Sequence, residues 1–115
     1  MRDYLLVAVG SAVGGAARYA TYALMARVSG FPWGTLTVNY VGSFVIGWVA
    51  GSGPTPATRL LVMTGICGGF TTFSAFSLDA ISMMREGQPA KAMVYAGASL
   101  IGCLAATWLG FRLRA

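Results

Sequence analysis

The sequence predicts an all-α membrane protein made of four transmembrane helices. Two observations carry that expectation. Hydrophobic residues make up 57% of the 115 positions and charged residues only 10%, far outside the composition of a soluble domain. The eleven charges, 8 basic and 3 acidic, are spaced so that long uncharged runs remain, notably Val28 to Thr58, Leu60 to Leu78 and Ala92 to Phe111. Each is close to or beyond the roughly 20 residues that a helix needs to cross a hydrocarbon core.

The first span runs from about Tyr4 to Ala26 and carries Arg18 near its far end. It begins like a signal peptide, with Arg2, an apolar run from Leu5 and small residues at Gly14 to Ala17. More spanning sequence follows, so the reading is of a retained first helix. Ser29-Gly30-Phe31-Pro32 makes the first turn. The second span, about 33–50, ends in Gly51-Ser52-Gly53-Pro54-Thr55-Pro56, where Gly and Pro density marks a loop. The third, about 57–84, holds Thr64-Gly65-Ile66-Cys67-Gly68-Gly69-Phe70-Thr71-Thr72, a poor helix former in mid-span, and a break is expected there. Such backbone survives at that depth only where protein buries it or where it lines a cavity. Close helix packing is the other use of these glycines, since Gly10/Gly14, Gly47/Gly51 and Gly65/Gly69 all sit four apart. Arg85 to Pro89 is the last loop, and the fourth span covers about 90–111. The whole chain, 1–115, reads as one four-helix domain.

The net charge is +5, but the cations stand singly at span ends. That pattern is of interfacial anchors, not of the adjacent cations that nucleic acid demands. Histidine is absent, which excludes a histidine metal site or general base. Cys67 and Cys103 lie inside apolar spans and read as small buried hydrophobes. With four spans, Arg2, Arg59, Arg112 and Arg114 fall on one side of the membrane. Arg27, Arg85 and Lys91, with Arg18 as a fourth, fall on the other. Orientation normally follows an excess of Lys and Arg in cytoplasmic loops, and here there is almost none. A chain without bias inserts both ways, so an antiparallel homodimer of two oppositely oriented copies is expected. The alternative is a single orientation imposed by a partner subunit.

Thr35, Asn39 and Ser43 recur every four residues on the second span, as do Tyr95, Ser99, Cys103 and Thr107 on the fourth. Each set forms a polar stripe that does not face lipid comfortably. Interhelical hydrogen bonding is one use of such a stripe; a track for a permeating ion better explains its unbroken length. Phe73 and Phe76 lie just past the suspected break, and their positive ring edges suit an anion. Asp79, the one carboxylate within a span, is a functional candidate that also lies near the interface. Arg18 either snorkels to the surface or draws anions into a vestibule.

Taken together, Gly14-Gly15-Ala16-Ala17-Arg18-Tyr19, Trp33 to Asn39 with Gly42, Gly65 to Phe76, and Tyr95-Ala96-Gly97-Ala98-Ser99 resemble the bacterial fluoride-channel family called Fluc or CrcB. The resemblance covers all four spans. It implies a fluoride-selective channel of the bacterial plasma (inner) membrane that lets fluoride leave the cytoplasm passively and so protects against its toxicity. It further implies a dual-topology homodimer with two fluoride pathways. A structural sodium ion, held by backbone carbonyls at the break, maps onto Gly68 and Thr71. Asn39, Phe73 and Phe76 would line the pores, and Tyr95, Ser99 and Thr107 the track. This chain departs from the family in having Cys103 where a hydroxyl is common, and Ala75 where threonine is. A small multidrug-type cation exporter is the nearest rival, but it needs a deep carboxylate that the first span lacks. A non-conducting structural subunit is the other; an enzyme is disfavoured because no nucleophile, base or ligand cluster appears.

Overall fold

The computed structural model describes all residues from Met1 to Ala115, and it is entirely helical. Helix α1 covers Arg2–Leu24 and α2 Trp33–Gly51. The third span is split. Its first part, α3 (residues 56–70), consists of an α-turn at Pro56–Thr58, a π-helical run at Arg59–Cys67 and a last α-turn at Gly68–Phe70. Its second part, α4, covers Phe73–Arg85, and α5 covers Pro89–Arg114. Two of these segments, Pro56–Arg85 and Pro89–Arg114, are long and apolar enough to cross a membrane. Arg18 dilutes α1 and Asn39 dilutes α2, with glycines in both. The long axis measures 47 Å, close to the ~40–45 Å of a bilayer with its headgroups.

Local sequence explains the boundaries. Pro56 occupies the first turn of α3, where its missing N–H costs nothing, and Thr55 Oγ1 accepts from the Thr58 N–H at 3.2 Å as N-cap. Gly53 and Gly87 turn the second and third loops at φ +66° and +76°, a region that glycine enters without strain. At the end of α5, Arg112 lies 5.3 Å from the Trp108 ring and Arg114 lies 5.0 Å from that of Trp48. These are the Trp and Arg anchors expected at a membrane interface.

The helices pack as two parallel pairs. α1 lies on α3, with Gly10 against the backbone of Leu61 and Gly65, and Gly14 against Ile66 and Phe70. α2 lies on α5, where Gly102 meets the Tyr40 ring, Gly47 the Thr107 backbone and Gly51 that of Phe111. Residue numbers rise together in both interfaces, which fixes the parallel sense. Small residues let backbones approach where lipid offers no hydrophobic drive. The packing reading of the glycines therefore holds, and so does the break, though not at the glycines. Gly68–Phe70 stays helical, and the chain is extended at Thr71 (φ −84°, ψ 159°) and Thr72 (φ −151°, ψ 115°).

Candidate functional site: a polar track beside a broken helix

The break is held open by a side chain from α2. Asn39 Nδ2 donates to the Thr72 carbonyl at 3.1 Å, and the Thr72 N–H donates to Asn39 Oδ1 at 2.7 Å. The amide thus pairs with both backbone groups of one extended residue, as a neighbouring strand would. Thr72 then starts α4, its Oγ1 accepting from the Ala75 N–H at 3.1 Å, the bond an N-cap threonine makes.

This arrangement releases two carbonyls. In a continuous helix the Thr72 N–H would serve the Gly68 carbonyl and the Ala75 N–H that of Thr71. Both donors are engaged elsewhere. Gly68 and Thr71 are the positions at which the resemblance in sequence leads one to expect a carbonyl-held sodium, and oxygens freed by a broken helix suit a hard cation. The Thr71 hydroxyl is not free, since it donates to the Cys67 carbonyl at 2.9 Å.

Beside the break lies a cavity of about 620 Å³. Asn39 and Ser43 of α2, Phe73 and Phe76 of α4, and Ser99, Cys103 and Thr107 of α5 all line it, with Gly68 and Thr71 at the break. The sequence stripes on α2 and α5 therefore do converge. Two of these side chains are already paired: Asn39 with Thr72, and Thr107, whose Oγ1 donates to the Ser43 carbonyl at 3.0 Å. Ser99 differs. It is only 7% exposed, and its hydroxyl has no hydrogen-bond partner. Phe73 and Phe76 sit with ring centroids 5.4 Å apart at 47°.

Three expected track residues lie away from the cavity. Thr35 is buried and its hydroxyl bonds that of Tyr22 at 3.1 Å. Tyr95 is fully buried, with its ring 5.2 Å from that of Phe76, and its hydroxyl donates to Asp79 Oδ2 at 3.1 Å. Asp79 borders a second, smaller cavity of about 290 Å³ with Lys91, Glu86 and Phe31. Arg18 is half-buried on α1 and borders neither cavity.

Several partners escaped the sequence reading. Thr72 is the capping and clamped residue, and a threonine just before Phe-Ser-Ala-Phe was a visible N-cap signal. Tyr40 donates to the Ala98 carbonyl at 2.6 Å and packs on Gly102. Tyr22 packs on Gly34. Neither tyrosine has a sequence pattern that would have found it.

Fold and site together define a polytopic helical membrane protein with a polar track built against a broken helix and an aromatic pair. A family model described as CrcB-like protein, Camphor Resistance (CrcB), matches residues 5–111, and the chain belongs to that family. Similar curated proteins agree. The fluoride-specific ion channel FluC of Methylocella silvestris is 44% identical over 94% of this chain and 89% of its own length. That of Opitutus terrae is 46% identical over 96% and 90%. The fluoride-specific ion channel FluC 1 of Geobacillus kaustophilus is 46% identical over 95% of each chain.

Proposed function

We propose that this protein is a fluoride-selective channel through which fluoride leaves the cytoplasm passively. The observation that carries the proposal is the Ser99 hydroxyl, buried without a partner on a cavity bounded by Phe73 and Phe76. An orphaned buried donor costs about 1–3 kcal/mol, and an anion accepting a hydrogen bond from it removes that cost. Fluoride is small and strongly hydrated, so its path must supply donors along a narrow route. Phenylalanine edges add a weakly positive wall, and a constriction formed by two rings discriminates against the larger chloride. Kinship with proteins named as fluoride-specific channels supports the choice of anion.

The working unit in this reading is an antiparallel homodimer in the bacterial inner membrane. The cavity is partly open, and a polar groove facing lipid is costly, so a second copy lying against it completes the wall. Asn39, Ser43, Ser99 and Thr107 form the track. Tyr95 and Thr35 support it from behind, and Arg18 acts electrostatically from α1. Sodium at the Gly68 and Thr71 carbonyls would stabilise the break and leave its helix ends fixed relative to Phe73.

Reconstitution tests the proposal. Proteoliposomes loaded with potassium fluoride are expected to release it once valinomycin relieves the potential, and to retain chloride under the same conditions. Equal release of both ions, or of neither, would overturn the channel reading.

A further inference from the structure

The cavity that holds Ser99 is also lined by three sulfur-bearing side chains, Met63 and Cys67 from α3 and Cys103 from α5. Neither cysteine is in a disulfide. Cys67 is 3% exposed, whereas Cys103 is half-buried and is the more reachable thiol. Cys103 lies one helical turn beyond Ser99, whose buried, unpartnered hydroxyl already marks this wall as one that receives a ligand. Thiolate and thioether sulfur are soft donors that select d10 monovalent metals over hard cations. The backbone oxygens released at Gly68 and Thr71 have the opposite preference.

We propose that Cys103 makes this cavity a binding site for a soft monovalent metal cation, of the silver(I) or copper(I) class, whose occupancy closes the polar track. The thiol loses its proton to solvent, the electron pair of the S–H bond stays on sulfur, and that pair forms the sulfur–metal bond. No oxidation state changes. Cys67 and Met63 border the same space from the opposite helix and offer secondary soft donors. A metal there would also place bulk beside the Ser99 hydroxyl, where the anion is meant to pass, with no net change of charge, because the cation replaces the thiol proton. Closure of the track rests on the channel reading; binding of the metal does not.

Two measurements separate those claims. Fluoride efflux from proteoliposomes in chloride-free nitrate medium is expected to slow about tenfold or more on adding micromolar silver nitrate, and to recover with excess 2-mercaptoethanol. Each variant is referred to its own untreated rate: Cys103→Ser is expected to resist silver, and Cys67→Ser to remain sensitive. Conduction by the wild type that ignores silver, or equal block in Cys103→Ser, overturns closure of the track. Binding is read independently by native mass spectrometry of the purified full-length protein titrated with silver nitrate. One retained silver per chain is expected, lost in both Cys103→Ser and Cys103→Ala and kept in Cys67→Ser. A wild type that retains none, or Cys103 variants that retain as much, overturns the site whether or not the protein conducts fluoride.

Discussion

Asn39 is the side chain on which most of the site depends, because its two hydrogen bonds convert Thr72 from a helical into an extended residue. Thr72 is 6% exposed, so Asn39→Ala strands a buried N–H and a buried carbonyl at about 1–3 kcal/mol each. We expect that variant to lose a few kcal/mol of stability by thermal unfolding in detergent, and to lose fluoride flux with it. Asn39→Asp keeps the acceptor for the Thr72 N–H but sets a carboxylate against the Thr72 carbonyl and the anion's path. Its flux should fall further than its stability. Phe76 poses a different question, since its ring touches both Phe73 and Tyr95. Phe76→Ile changes apolar volume modestly but removes the ring edge, and efflux is expected to drop at least about tenfold with melting little changed. The four-residue spacing made the α2 stripe legible in the sequence. What it did not reveal is how each member is spent: Thr35 on Tyr22, Asn39 on Thr72, and the Ser43 carbonyl on Thr107. These partners lie 13, 33 and 64 positions away, and a helical period carries no information about them.

At the level of the elements, the third span shows why a weak-helix sequence locates a break only coarsely. The run from Thr64 to Thr72 predicts trouble, yet Gly68–Phe70 remains helical, because nothing forces a glycine out of a helix that tertiary contacts support. The interruption falls two residues later, where Asn39 supplies a competing partner for the backbone. A Cβ at Gly68 would come no nearer than 3.9 Å to the Met63 carbonyl, ordinary contact in a helix that alanine favours. Gly68→Ala should therefore be tolerated, which reverses what a break centred on that glycine would predict. At Gly42, by contrast, a Cβ would run into the Thr71 side chain, which its hydrogen bond to the Cys67 carbonyl holds in place. Gly42→Ala has to displace the break or separate α2 from it, and fluoride efflux should fall far below that of Gly68→Ala. Comparable flux in the two variants would show that the Gly42–Thr71 contact does not hold the site.

For the whole molecule, charge and shape bear on the same question. Short loops join α2 to α3 and α4 to α5, so Arg2, Arg59, Arg112 and Arg114 gather at one end, and Arg27, Arg85 and Lys91 at the other, with Arg18 on α1 between. A translocation machinery that reads cation excess finds little to choose between them. The face beside the cavity is not closed within one chain: Phe73 is 78% exposed and Leu100 64%, next to the buried polar wall around Ser99. Lipid can cover the apolar part, but it offers no partner to the track. In the proposed dimer, a second copy in the opposite orientation would cover both through one two-fold axis in the membrane plane. That assembly makes a prediction independent of conduction. With Cys67 and Cys103 replaced, a single reporter in the first loop, Ser29→Cys, lies at an exposed position and belongs to one end of the bundle. If copies insert both ways, a membrane-impermeant thiol reagent applied to intact cells should label about half of the reporter. The remainder should react only after the membrane is opened. A reporter beyond α5, Ala115→Cys, sits at the other end and should divide in the same proportion. Complete protection or complete labelling, reversed between the two reporters, would fix a single orientation and remove the antiparallel dimer.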